Sequence, residues 1–141
     1  MITNFADMIV QYDDVIPADK CKEIIEKFEY DHRKSAGITA SDTEGHADGT
    51  SIKKSTDLWI SQWPEWEEYD AYFFEVLSPH VKKYLTYIKE KLGDVVQSKG
   101  DMVDSGYQVQ RTNVGESYDW HADDDVSPIL DTIVFLSLIH I

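Results

Sequence analysis

Apolar residues recur along the chain with two different periods, and the change from one to the other sets the expected order of elements. Met8 to Val15 (MIVQYDDV) alternates loosely and is bounded by Pro17, which predicts a first strand entering a helix whose first turn accepts the proline. Cys21, Ile24, Ile25 and Phe28 then fall at i, i+3, i+4 and i+7, with Lys20, Lys22, Glu23, Glu26 and Lys27 on the wet side. An amphipathic helix is expected to about Tyr30, with Cys21 a core side chain rather than a nucleophile. Lys34 to Ser51 is rich in Gly, Ser, Thr and Asp and lacks periodicity, so residues 34–51 read as a long surface loop. Strand character returns over Ile52 to Ser61. From Pro64, the residues Trp66, Tyr69, Phe73, Leu77, Val81, Tyr84 or Leu85, Ile88 and Leu92 keep helical spacing as far as Gly93, with Lys82, Lys83, Lys89 and Lys91 on the solvated face. Ser78-Pro79 in the middle predicts a kink or a fresh N-cap. After a polar connection from Gln97 to Gly106, Tyr107 to Asp123 reads as strand, turn, strand about Gly115, and Asp131 to Ile141 as a further strand.

Helices early and strands alone later predict an α+β fold. The expected architecture is the N-terminal part of a double-stranded β-helix (jelly-roll) with supporting helices on one side of a mainly antiparallel sheet. The final segment, DTIVFLSLIHI, stops with no turn, cap or polar tail, so the chain is expected to be the front part of a longer domain. The alternative is an ordinary terminal strand tucked into the sheet.

Composition narrows the partners. A chain of 141 residues, 42% hydrophobic, fits a single domain over 1–141 with a core of its own. The balance of 13 basic against 27 acidic side chains gives a formal charge of -14, which repels phosphate backbones and anionic lipid. No nucleic acid and no membrane partner is expected. Cys21 is the single cysteine, which leaves no intrachain disulfide or thiolate metal cluster and suits a reducing, cytoplasmic setting.

The candidate chemistry lies at the end of the Tyr107 to Asp123 stretch. His121 and Asp123 stand two positions apart, so in an extended backbone both side chains leave one face. An imidazole and a carboxylate so placed are two parts of the 2-His-1-carboxylate set that holds non-haem Fe(II) with coordination positions left open. His46-Ala47-Asp48 repeats the spelling within a polar loop, without a strand to fix its geometry. The acidic run around Asp119, Asp123 and Asp125 lacks the glycine and the distal glutamate of a calcium loop. Zinc catalysis wants more histidines than this stretch provides, and no Gly-x-Ser-x-Gly elbow is present.

Gln108-Val109, Gly115, Tyr118 and His121-x-Asp123, in that order and spacing, resemble the first metal-ligand strand of the Fe(II)/2-oxoglutarate-dependent oxygenases, in their prolyl 4-hydroxylase-like branch. The flanks resemble it too: an N-terminal strand, a charged helix beginning near Pro17, a Lys-Ser-Thr-Asp-Leu-Trp strand and a long helix. The resemblance implies a double-stranded β-helix, Fe(II) held by His121 and Asp123, and 2-oxoglutarate as cosubstrate, with Tyr118 lining its pocket and Gln108 beside it. It further implies O2 as co-reactant, ascorbate as an accompanying ligand, and hydroxylation of a peptidyl, by default prolyl, or small-molecule substrate. Thr112 stands where relatives often carry a tyrosine, nine residues before the histidine, so an aromatic contact to 2-oxoglutarate is lost or moved there. The family's distal histidine and basic anchor fall on later strands, and His140 comes too early to replace them. The 141-residue chain is therefore expected to hold iron weakly and to turn over little. The rival from another class is a non-catalytic jelly-roll binding module, in which His121 and Asp123 are ordinary strand-end polar residues.

Overall fold

The computed structural model describes residues 9–37, 53–92 and 104–120. Over these residues the chain is mixed helix and sheet: α1 (Ala18–Tyr30), β1 (Ser35–Ala36), β2 (Thr56–Trp59), α2 (Glu67–Leu92) and β3 (Gln108–Arg111), with short 3-10 turns at Ile60–Gln62 and Pro64–Trp66. The sheet is antiparallel in the order β1-β2-β3. This is the expected α+β class, and the sheet is open. No helix among the described residues is long and apolar enough to cross a membrane. The chain divides into two compact units, Met1–Ile25 with Ile60–Tyr107 and Glu26–Trp59 with Gln108–Ile141, and α1 supplies residues to both.

The first unit is organised by α2. Trp66 is fully buried, Tyr69, Phe73 and Ile88 nearly so, and Leu77, Val81, Tyr84 and Leu85 are half-buried, as the helical spacing predicts. Trp66 packs on Tyr69 with ring centroids 5.2 Å apart, and Phe73 packs on Tyr107 at 5.4 Å. Ile24 of α1 is buried, and the Tyr69 hydroxyl donates to Glu23. Ser78-Pro79 neither ends nor restarts the helix: α2 runs unbroken through Pro79, with the Ser78 hydroxyl donating to the Phe74 carbonyl. The expected first strand does not form over the described residues Ile9 to Val15. Asp14 adopts a left-handed φ of 56°, the Gln11 amide donates to Asp13 at 2.6 Å, and the chain bends before Pro17, whose carbonyl accepts from the Cys21 N–H.

The second unit is built on β2. Leu58 and Asp57 are buried in its middle, and its partners register as Ser35↔Asp57 on one side and Asp57↔Gln110 on the other. One expectation is corrected here. The opening of the 34–51 loop is not loop: Ser35–Ala36 pairs with β2, and Gly37 is buried and continues the ladder by donating its N–H to the Ser55 carbonyl. Residues 38–51, with His46 and Asp48, lie outside the described residues. In the stretch around Gly115, the strand before the turn and the bridge after it both pair with the same segment rather than with each other. After β3 the chain leaves the ladder and returns at Tyr118 to pair with Lys53, still alongside the same partner segment, so six residues (112–117) stand opposite two (54 and 55). The Lys54 N–H donates to the Ser117 carbonyl at 2.8 Å. Glycine at 115, with φ 86°, makes the turn of this enlarged bulge possible.

A polar sheet face as candidate functional site

Alternation along β2 sorts its residues onto two faces. Thr56 and Leu58 share one with their partners Arg111 and Val109. The Arg111 guanidinium lies 6.0 Å from the centre of the Phe28 ring, pairs with Glu29 and donates to the Thr56 hydroxyl, so the last turns of α1 cover this face. The same helix end is closed by Lys34, whose ammonium donates to the carbonyls of Phe28 and Glu29 at 2.8 and 2.6 Å.

The other face is polar and still largely withdrawn from water. Lys53, Ser55 and Asp57 are all buried, at 7%, 7% and 4% exposure. The Lys53 ammonium donates to Asp57 Oδ2 at 2.6 Å, and the Ser55 hydroxyl donates to Oδ1 at 2.7 Å. From β3, the Gln108 side-chain amide reaches the same carboxylate at 3.2 Å. Asp57 thus accepts from an ammonium, a hydroxyl and an amide, which is the satisfaction a buried carboxylate requires. Gly37, opposite Ser55, leaves the space this cluster fills: a β-carbon there would overlap the Ser55 hydroxyl and come within 2.8 Å of Asp57 Oδ2 and 2.9 Å of Lys53 Cε. Tyr118 lies on the same face, with the Lys53 ammonium 5.3 Å from its ring centre.

Of the residues singled out from sequence, the structure brings Gln108 and Tyr118 onto this one face, at either end of the Lys53–Asp57 pair. Gln108 is committed to Asp57 rather than open to a ligand. Thr112 is exposed at the start of the bulge and accepts weakly, at 3.3 Å, from the Gln110 amide. His121 and Asp123 lie outside the described residues, which end at Trp120, and so does His140. Among the described residues, no three His, Cys, Asp or Glu side chains cluster as metal ligands would. Cys21 is half-buried on α1, its thiol toward the Ile16 carbonyl, in keeping with a packing role. Lys53, Ser55 and Asp57 were not singled out from sequence. All five residues of 53–57 are polar, so no alternation in the sequence marks which of them share a buried face.

No protein-family model, no curated protein and no solved structure matches the chain.

Proposed function

We propose that the chain is part of an Fe(II)- and 2-oxoglutarate-dependent oxygenase of the prolyl 4-hydroxylase-like kind, built on a double-stranded β-helix, with His121 and Asp123 as two of its iron ligands. The observation that carries this reading is the polar face formed by Lys53, Ser55, Asp57, Gln108 and Tyr118. Burying such groups is costly unless each is bonded, and a sheet that only packed would use apolar residues there. A sheet lining a site for a polar ligand needs them. This face leads along the chain to Tyr118, three residues before His121.

The donor chemistry fits the metal, since an imidazole and a carboxylate suit a ferrous ion. The described cation of the face fits 2-oxoglutarate less directly, because the charge of Lys53 is already balanced by Asp57. The anchor for the far carboxylate and the third iron ligand are therefore assigned to positions other than those described. When bound, Fe(II) with 2-oxoglutarate and O2 supplies the oxidising power for C–H hydroxylation. The chain's own part is to position: Asp57 holds the Gln108 amide, and Tyr118 would line the cosubstrate site. The substrate class is a peptide, by default prolyl, or a small molecule, and the charge of -14 favours a neutral or basic one. The single cysteine suits a cytoplasmic protein.

The test is spectroscopic. Protein expressed from the full reading frame, given Fe(II) and 2-oxoglutarate without oxygen, is expected to develop a visible metal-to-ligand charge-transfer band. His121→Ala and Asp123→Ala each remove it. A folded protein with no band overturns the proposal in favour of a non-catalytic binding module.

A further inference from the structure

We propose that Lys53 is a positioning residue that clamps Tyr118 and so sets the register of the segment leading to His121 and Asp123. The metal arm of the test rests on the iron reading above; the clamp itself does not. The argument begins with the bulge. Register in a sheet is normally inherited from one ladder pair to the next. Here inheritance is broken, because the chain leaves β2 after Arg111 and spends six residues outside the ladder before Tyr118. Where it returns, register has to be set afresh. The contacts that set it include the Lys53↔Tyr118 bridge, the Lys54 N–H to Ser117 carbonyl bond and the Lys53 ammonium over the Tyr118 ring.

The ammonium can hold a ring in place only if it is itself held. Lys53 is 7% exposed and bonded to Asp57, which Ser55 and Gln108 fix in turn. The anchor is therefore rigid on its β2 side, and Tyr118, 39% exposed, is the side chain it restrains. Packing alone would be met by methionine, which has a stem of similar length and no desolvation penalty.

Lys53→Met alone would strand a buried carboxylate, so the informative variant is Lys53→Met with Asp57→Asn, compared with Lys53→Arg. Two readouts are taken: amide hydrogen exchange at Lys54 in metal-free protein, and anaerobic Fe(II) affinity. In the double variant, Lys54 exchange is expected to speed up about tenfold, the order a partly desolvated cation–π contact supports, while the amides of β2 and β3 keep their protection. Fe(II) affinity falls by a similar factor. Lys53→Arg keeps both near wild type. Wild-type exchange at Lys54 in a folded double variant overturns the clamp, and faster exchange with unchanged Fe(II) affinity overturns its positioning role. If the double variant does not fold, Tyr118→Leu and Tyr118→Phe decide the matter: only the leucine should speed exchange at Lys54, and equal rates overturn the proposal. His121→Ala with undiminished Fe(II) affinity would instead show the iron reading to be wrong, leaving the clamp to be judged on exchange alone.

Discussion

Replacing Gly37 by alanine should damage the second unit far more than a loop glycine would. The new methyl group overlaps the Ser55 hydroxyl and lies within 2.8 Å of Asp57 Oδ2 and 2.9 Å of Lys53 Cε. Gly37 is tied to β2 by its own N–H bond to the Ser55 carbonyl at 2.9 Å, so the backbone is not free to retreat. The Ser55 hydroxyl must rotate away and give up its 2.7 Å bond to Asp57. Losing one bond to a buried charged acceptor costs about 1.5–3 kcal/mol, and overpacking adds about 1–3 kcal/mol. The two overlap, because rotation relieves part of the clash, so a net loss of about 2–4 kcal/mol is expected for Gly37→Ala. That is a large share of the roughly 5–15 kcal/mol that stabilises a domain, and corresponds to a melting point lower by roughly 10 °C. Urea unfolding of Gly37→Ala, Ser55→Ala and the double variant is the assay. With the hydroxyl gone the methyl has room, so the double variant should be more stable than the sum of the two single losses by about 1–2 kcal/mol. Strict additivity, or a Gly37→Ala protein within about 0.5 kcal/mol of wild type, would refute the packing described.

Two further outcomes concern the first unit. Tyr69 donates its hydroxyl to Glu23, and that bond together with burial pushes its pKa up to about 12. The phenol binds its proton more tightly folded than unfolded, so its contribution to stability is complete below the ordinary value near pH 10 and is lost as pH rises through about 12. The urea midpoint should fall across that window and fall less in Tyr69→Phe; equal slopes would refute the coupling. Pro79, inside α2, cannot donate to the carbonyl of Glu75 four residues before it. Pro79→Ala should therefore stabilise the protein by about 1–2 kcal/mol after the looser unfolded chain is allowed for, and a midpoint at or below wild type would show that the surroundings already compensate.

What could be read from the sequence, and what could not, divides along physical lines. The helices were legible because their stripes are long: Cys21, Ile24, Ile25 and Phe28 mark α1, and the Trp66 to Ile88 series marks α2 through a proline that local preference alone would take as a break. Tertiary packing of that stripe overrides the proline. The first strand failed because alternation over Met8 to Val15 was weak and Asp14 can adopt a left-handed backbone at little cost. Ser35–Ala36 was hidden for the opposite reason. Two residues carry no period, and their pairing is dictated by β2 rather than by their own side chains. On the polar face, Gln108 and Tyr118 stand out in the sequence only through a family resemblance, whereas Lys53 and Asp57 belong to a run of five polar residues with no period to mark them. Only the fold places them indoors, on one face and bonded to each other.

The bulge explains how one arm can pair with the same partner segment twice and keep its faces in order. Over Gln108–Arg111 the arm follows β2 residue for residue, and Val109 and Arg111 take the face covered by α1. The excursion then closes on itself, with the Glu116 N–H donating to the Asn113 carbonyl and the Asn113 N–H to the Glu116 carboxylate at 2.6 Å. The N–H groups of Asn113 and Glu116 are thereby satisfied within the excursion itself while the ladder is abandoned for six residues. The arm comes back displaced by four residues, an even number, so the alternation of faces is kept and Tyr118 lands on the side of Lys53 rather than of Leu58. An insertion of odd length would have turned the ring toward the α1 side. The length of the bulge thus conserves the alternation of faces, so that Tyr118 rejoins the face that carries Lys53, Ser55 and Asp57.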